Sequence, residues 1–383
     1  MFLLNAKYIG ILLLIVACLS LYIVDNWRGL ILEDGDTNNN TVSSLSETRQ
    51  VEDVYDKSNF SEPDNEMFPR TIDFNAPCDV SAVLTSLHDP SVPLTTSLLS
   101  KLRGCAILLF FRTPRSGTTV FYYLLEKLGQ SLGYKASLMR PIKRGDIQEF
   151  WVSYVNEMTT NQSLIALGVH QQAIDLVKKP IKSAIVINLI REPIEHLVSI
   201  FKMKKYGDRT ETGYVKDTFG KCNISFSDYV LQNGLDYPCL KDRYTGLRFL
   251  CGNCTNCQSR KNCLEEAKNN VDSLYLSVGV SENIPAFLLV LETLLPQFFY
   301  GALDTYVKMS GLYQMFTPDV YRNETVTPEV MSYLKKELSS DIELYRFVQE
   351  KLYLVVRKVL EYRANRDLED SRLLRNRITE QNI

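Results

Sequence analysis

Cys105-Ala-Ile-Leu-Leu-Phe-Phe111, continued by Arg112-Thr-Pro-Arg-Ser-Gly-Thr-Thr119 and then by a helical pattern from Val120 to Leu132, decides the fold. A short run of uniformly apolar residues that ends at Pro and Gly fits a strand covered on both faces, as in parallel sheets. The pattern recurs downstream. Leu164-Ile-Ala-Leu-Gly-Val-His170 and Ala184-Ile-Val-Ile-Asn-Leu-Ile190 read as strands, the latter followed by a helix from Ile194 to Lys205. Leu274 to Val280 reads as a further strand with a helix from Ile284 to Leu295, and Asp146 to Met158 as a helix. The tail from Pro328 to about Arg375 is charged and helical. Strand then helix, repeated, predicts an α/β domain with a mainly parallel sheet.

The loop after the first strand carries chemistry. A strand that runs through a Pro/Gly loop with hydroxyls into a helix presents backbone N–H groups to an anion. The loop is P-loop-like, but the Walker A spacing is absent. Arg112 and Arg115 add fixed cationic donors suited to phosphate or sulfate oxygens. A second segment, Ile190-Arg-Glu-Pro-Ile-Glu-His-Leu-Val-Ser199, puts Arg191 directly after a buried strand, where open α/β sheets bind ligands. Ser199 falls about two turns into the next helix. The plain alternatives are a Pro-Gly turn with surface arginines and an arginine at a sheet edge.

Of the 383 residues, 45% are hydrophobic and 23% charged, which excludes a fibrous or wholly disordered chain. The charge is unevenly spread. Residues 25–99 carry 14 acidic against 4 basic residues, whereas residues 100–383 carry 38 basic against 31 acidic. An acidic, Asn-rich stem thus precedes a mildly basic body, and its residues 28–75 are expected to be largely disordered. Tyr8 to Val24 is an uninterrupted run of apolar and small residues after Lys7, long enough to span a bilayer core. The organisation expected is a cytoplasmic tail (1–7), a signal anchor (8–24), a stem (25–99) and an exported body (100–383). A cleaved signal peptide is the competing reading, and it too exports the body.

Six Asn-x-Ser/Thr sequons, at Asn39, Asn59, Asn161, Asn223, Asn253 and Asn323, agree with export. So do the cysteines. Cys222, Cys239, Cys251, Cys254, Cys257 and Cys263 crowd into an insert spanning 222–263. In a cytosolic chain such spacing suggests zinc; in an exported chain it predicts three disulfides, with the pairing left open. Cys78 and Cys105 form a candidate fourth bridge, tying the stem to the body.

Together the loop and the Arg191 segment resemble the sulfotransferase family, whose two signature regions grip the 5′-phosphosulfate and the 3′-phosphate of 3′-phosphoadenylyl sulfate (PAPS). Ile190 to Ser199 with Tyr206-Gly-Asp208 is similar to the heparan sulfate and uronyl 2-O-sulfotransferases. Phe249 to Cys257, Glu266 to Asn270, Val278 to Glu282 and Leu295 to Ala302 share that similarity, which spans roughly residues 104–310. The resemblance implies a PAPS-binding sulfotransferase fold and a Golgi membrane enzyme of type II topology. It also implies a glycosaminoglycan acceptor, anionic in character, with sulfation at the 2-O position of a uronic acid. A homotrimer assembled through the helical tail is implied too; neither a metal nor a nucleic-acid partner is.

The resemblance assigns roles residue by residue. Arg112, Thr113, Pro114, Arg115, Ser116, Gly117, Thr118 and Thr119 would hold the 5′-phosphate, with Arg115 stabilising the leaving group. Arg191 and Ser199 would hold the 3′-phosphate. The segment Gly168 to Leu176 places His170 as the base that deprotonates the acceptor hydroxyl. Three features depart from the uronyl pattern: Arg115 stands where lysine is usual, Gly168 where a second histidine is usual, and the basic run after Asp208 is reduced. The Pro-Arg-Ser-Gly-Thr-Thr form resembles the protein-tyrosine sulfotransferases, so tyrosine or a different sugar is the alternative acceptor. A non-catalytic scaffold with the same fold is a further alternative. A metal-dependent glycosyltransferase is disfavoured because the only Asp-x-Asp match, Asp34-Gly-Asp36, lies in the stem.

Overall fold

Strand β1, Ile107–Arg112, is buried at all six positions and forms the centre of a five-stranded parallel sheet. The computed structural model describes residues 78–139, 164–169, 184–206, 222–235, 239–240, 246–252, 259–309 and 324–381. All of them belong to one unit of the chain, Asn65–Ile383. The other strands are β2 (Lys135–Met139), β3 (Ile165–Val169), β4 (Ala184–Ile190) and β5 (Ser277–Val280), in the order β2-β3-β1-β4-β5. In chain order the helices are α1 (Val80–His88), α2 (Thr96–Ser100), α3 (Thr118–Leu132), α4 (Pro193–Tyr206), α5 (Phe226–Asn233) and α6 (Gly246–Cys251). They continue with α7 (Arg260–Ser273), α8 (Ile284–Leu294), α9 (Pro296–Phe299), α10 (Ala302–Lys308), α11 (Pro328–Glu337) and α12 (Ser339–Gln381).

The strands read from apolar runs all form. Edge strand β2 is unmarked in the sequence because Lys135 and Leu138 are exposed and no apolar run develops. The expected helix over 146–158 lies outside the described residues, as do the anchor run 8–24, His170, Cys254 and Cys257. Among the described residues, no helix is long and apolar enough to cross a membrane.

Packing explains several sequence choices. Phe110 and Phe121 meet at 4.7 Å between ring centres, and Phe121 stacks on Phe287 at 5.5 Å. A Cβ on Gly279 would lie 2.4 Å from the Phe287 ring, so only glycine lets α8 pack this close to β5. A second apolar cluster lies on α4, where Phe201 meets Phe226 at 5.4 Å and Tyr229 at 5.5 Å. The Cys222–Cys239 disulfide lies in this cluster, and Cys251 pairs with Cys263. The candidate bridge Cys78–Cys105 is formed.

The body begins earlier than its composition indicates. Residues 78–99, assigned above to the stem, include α1 and most of α2, and Val83, Leu84, Leu87 and Leu94 join the main core. A charge count over 25–99 averages an amphipathic helix into its polar surroundings. Asp79 caps α1, its Oδ1 accepting from the Ala82 N–H at 3.1 Å. At the other end of α1 sits Lys358 of α12, a buried residue only 4% exposed. It donates to the carbonyls of Ser86 (2.5 Å), Asp89 and Val92 (2.8 Å). That one cation serves the Ser86 and Asp89 carbonyls at the end of the helix, and the Val92 carbonyl in the loop beyond it. Lys358→Met keeps the packing of the stem methylenes and removes the donors. It should lower stability by about 1–3 kcal/mol, the cost of stranding buried carbonyls, and thermal melting checks it; an unchanged melting temperature contradicts the clamp.

Candidate functional site

Register places the site. β1 and β4 run in parallel with Phe111 opposite Asn188 and Arg112 opposite Leu189, so the two chains leave the sheet side by side. The loop 112–119 and the turn at Arg191 therefore lie at the same C-terminal edge, the usual ligand edge of an open α/β sheet.

The loop is fixed from below. Thr113 is fully buried, and its hydroxyl donates to Asn188 Oδ1 at 3.1 Å, while Asn188 Oδ1 also accepts from the Leu189 N–H at 2.7 Å. Thr118 is buried and directs its hydroxyl back to the Thr113 carbonyl at 3.5 Å. Both hydroxyls, expected above to face a ligand, thus hold the loop's own shape. Arg112, 5% exposed, lays its guanidinium 5.8 Å from the Tyr122 ring centre and donates to Thr119 Oγ1 at 3.4 Å.

The upper part of the loop faces outward. Arg115 has φ +64°, and Gly117 has φ +70°. A left-handed non-glycine residue costs roughly 1–2 kcal/mol, and such strain points to a functional role. Gly117 is the N-cap of α3 and supplies no side-chain cap. The first-turn N–H groups of such a helix suit an anion. Ser116 Oγ is fully buried with no hydrogen-bond partner. An orphaned hydroxyl beside uncapped helix amides and an arginine fits a phosphate oxygen.

The second segment meets the first directly. Ser199, two turns into α4, accepts a hydrogen bond from Arg115 Nε at 3.3 Å. Arg191 is half-buried and pairs with Glu195 at 3.3 Å, a partly exposed i,i+4 pair that contributes little. The resemblance assigns Arg115 and Ser199 to different phosphates; the structure brings the two side chains into contact, so the two segments adjoin. His170 lies outside the described residues, but β3 ends at Val169 opposite Phe111, one step before Arg112. Gly168 is described: a Cβ there would lie 3.0 Å from Leu138, 3.1 Å from Tyr122 and 3.3 Å from Arg112. A larger residue would have to displace these side chains, the donor-loop arginine among them. Among the described residues, no group of three or more His, Cys, Asp or Glu side chains could hold a metal ion.

No family model matches the chain. Relatives are found by direct comparison. The heparan sulfate 2-O-sulfotransferase 1 of Mus musculus is 28% identical over 208 residues, 52% of this chain and 58% of that protein. The chain is a relative of the heparan sulfate 2-O-sulfotransferases. The Gallus gallus enzyme is 27% identical over 259 residues, 65% of this chain and 71% of the relative. The Caenorhabditis elegans enzyme is 28% identical over 204 residues, 51% and 62% respectively. The chain thus spans just over half the length of the mouse relative.

The sequence assigns His196, within the Arg191 segment, no role of its own. It is fully buried on α4, and its Nε2–H donates to the Pro114 carbonyl at 2.6 Å, one residue before strained Arg115. Burial pushes this imidazole down to about 4 against an ordinary 6.5; the Pro114 bond opposes the shift, and Arg191 and Arg115 add to it. The signal was present, since a histidine on the inner face of a buried helix must find a partner. The unfolded chain takes up this proton near pH 6.5 and the folded chain only near pH 4, so stability is present above 6.5 and lost as pH falls to 4. The lost contribution is about 3 kcal/mol. His196→Gln lacks the titration, so denaturant unfolding should show the wild-type advantage over the variant shrinking across that window; a gap constant from pH 7 to pH 4 contradicts it.

Proposed function

We propose that the chain transfers a sulfuryl group from PAPS to a hydroxyl of a glycosaminoglycan, at the 2-O position of a uronic acid in heparan, dermatan or chondroitin sulfate. The observation that carries the reading is the contact between Arg115 and Ser199, which joins two anion-holding segments into one surface. Two phosphates on a single ribose call for two grips a fixed distance apart, and the relatives' named activity supplies the chemistry.

Each residue has a defined task. The α3 amides, Ser116 and Arg115 hold the 5′-phosphate and stabilise the charge that builds there as the S–O bond to it breaks. Arg191 and Ser199 hold the 3′-phosphate. His170 takes the acceptor's proton as its oxygen forms the new bond to sulfur, giving the sulfate ester and adenosine 3′,5′-bisphosphate. Arginine at 115 acts as an electrostatic clamp, since its guanidinium does not give up a proton. In this reading the chain is a type II Golgi membrane protein held by the run 8–24, with the basic body luminal and suited to a polyanionic acceptor. It assembles as a homotrimer.

Labelled PAPS and a panel of glycosaminoglycans, followed by disaccharide analysis, test the reaction; sulfation of a tyrosine peptide with no transfer to any glycan would overturn the acceptor class. Adenosine 3′,5′-bisphosphate should raise the melting temperature, and Arg191→Ala should remove most of that shift. Equal shifts in wild type and variant contradict the donor site. His170→Ala should lower turnover by roughly 10²–10⁴ while leaving affinity for the bisphosphate near wild type. A folded variant that keeps more than about a third of wild-type turnover removes His170 as the base.

A further inference from the structure

A third segment reaches the same sheet edge. β5 ends at Val280, and the next two residues, Ser281 and Glu282, open a single 3₁₀ turn before α8. Ser281 Oγ lies 2.8 Å from the Ser116 carbonyl and 2.9 Å from the Ile190 carbonyl, so one hydroxyl proton serves both. Ser116 belongs to the 5′-phosphate loop, and Ile190 is the last residue before Arg191. Glu282 completes the brace. Its Oε1 accepts from the Glu192 N–H at 2.9 Å, and its Oε2 accepts from the Tyr345 hydroxyl on α12 at 2.9 Å.

These bonds tie together the two anion-holding segments at backbone level. The loop is held at Ser116, and the Arg191 turn is held on both sides, at Ile190 and at Glu192. None of the four bonds uses a side chain assigned to a phosphate. We propose that Ser281 and Glu282 are positioning residues that set the spacing between the 5′-phosphate and 3′-phosphate grips, with Tyr345 anchoring the brace to the C-terminal helix. The proposal rests on the donor-site reading above.

The chemistry gives the spacing its importance. Both phosphates are carried by one ribose, so their separation is limited to what a few torsions allow, and displacing one grip relative to the other weakens one of the two contacts. A ligand with a single phosphate has no such demand. Loosening the brace should therefore weaken a two-phosphate ligand and spare a one-phosphate ligand, whereas general damage to the loop would weaken both alike.

The probes are adenosine 3′,5′-bisphosphate and adenosine 5′-monophosphate, titrated calorimetrically into wild type, Ser281→Ala, Ser281→Thr and Glu282→Ala of the full chain. Wild type should prefer the bisphosphate. Ser281→Ala should weaken it about tenfold, change the monophosphate by less than about threefold, and be rescued by Ser281→Thr, which restores the hydroxyl. Glu282 is exposed, so Glu282→Ala tests the same brace where a change at Ser281 prevents folding, and it should show the same selective loss. Unchanged bisphosphate affinity in both alanine variants overturns the brace and leaves the donor site standing. Equal losses for both ligands also overturn it, because they show a structural role only. Wild type that does not bind the bisphosphate removes the donor site and the brace together.

Discussion

Two parallel strands that end in step are the constraint from which the site follows. β1 and β4 pair with Arg112 opposite Leu189, and beyond that row both chains must turn at the same edge. Parallel pairing also aligns the following helices, so that the N-termini of α3 and α4 open toward one region. Thr113 makes the alignment specific. Its buried hydroxyl on Asn188 locks the first residue beyond β1 to the strand beside it, deep enough that a one-residue slip would strand two polar groups.

Rigidity at the edge comes from four directions. Asn188 holds the loop from below, His196 holds Pro114 from α4, and Ser281 holds Ser116 from the end of β5. The fourth is the apolar cluster beneath α4, stapled by Cys222–Cys239, which fixes the helix that carries Ser199 and His196. The strained backbone of Arg115 persists because its neighbours are bound on both sides. A site built to stabilise developing charge gains from such preorganisation, since donors already in place need no rearrangement when the charge appears. The acidic groups close by fit the same logic. Burial raises the Glu192 carboxyl, and its Oε2 accepts from the Glu195 N–H to cap α4, so this carboxylate is committed to the helix.

Much of this was legible in the sequence, for reasons that differ by element. The buried strands announced themselves because a parallel strand covered on both faces has no polar side to confuse the pattern. The strand-loop-helix unit around residues 112–119 was legible because Pro and Gly end the apolar run and a helical pattern follows at once. β2 and α1 were not, the first because an edge strand needs no apolar run and the second because its apolar face is short and set in acidic surroundings. The bonds that Thr113 and Thr118 make inside the loop were not legible, because composition gives residue type and not direction. His196, Asn188, Ser281 and Glu282 act through bonds across 82, 75, 165 and 90 residues of chain, a separation that no local pattern reports.

A structure of the protein with adenosine 3′,5′-bisphosphate bound tests the central claim most directly. The account predicts the 5′-phosphate within hydrogen-bond distance of the first amides of α3, Ser116 and Arg115, and the 3′-phosphate on Arg191 and Ser199, with the Ser281 bonds intact. A nucleotide bound with its two phosphates reversed, or seated away from the β1 and β4 edge, would contradict it.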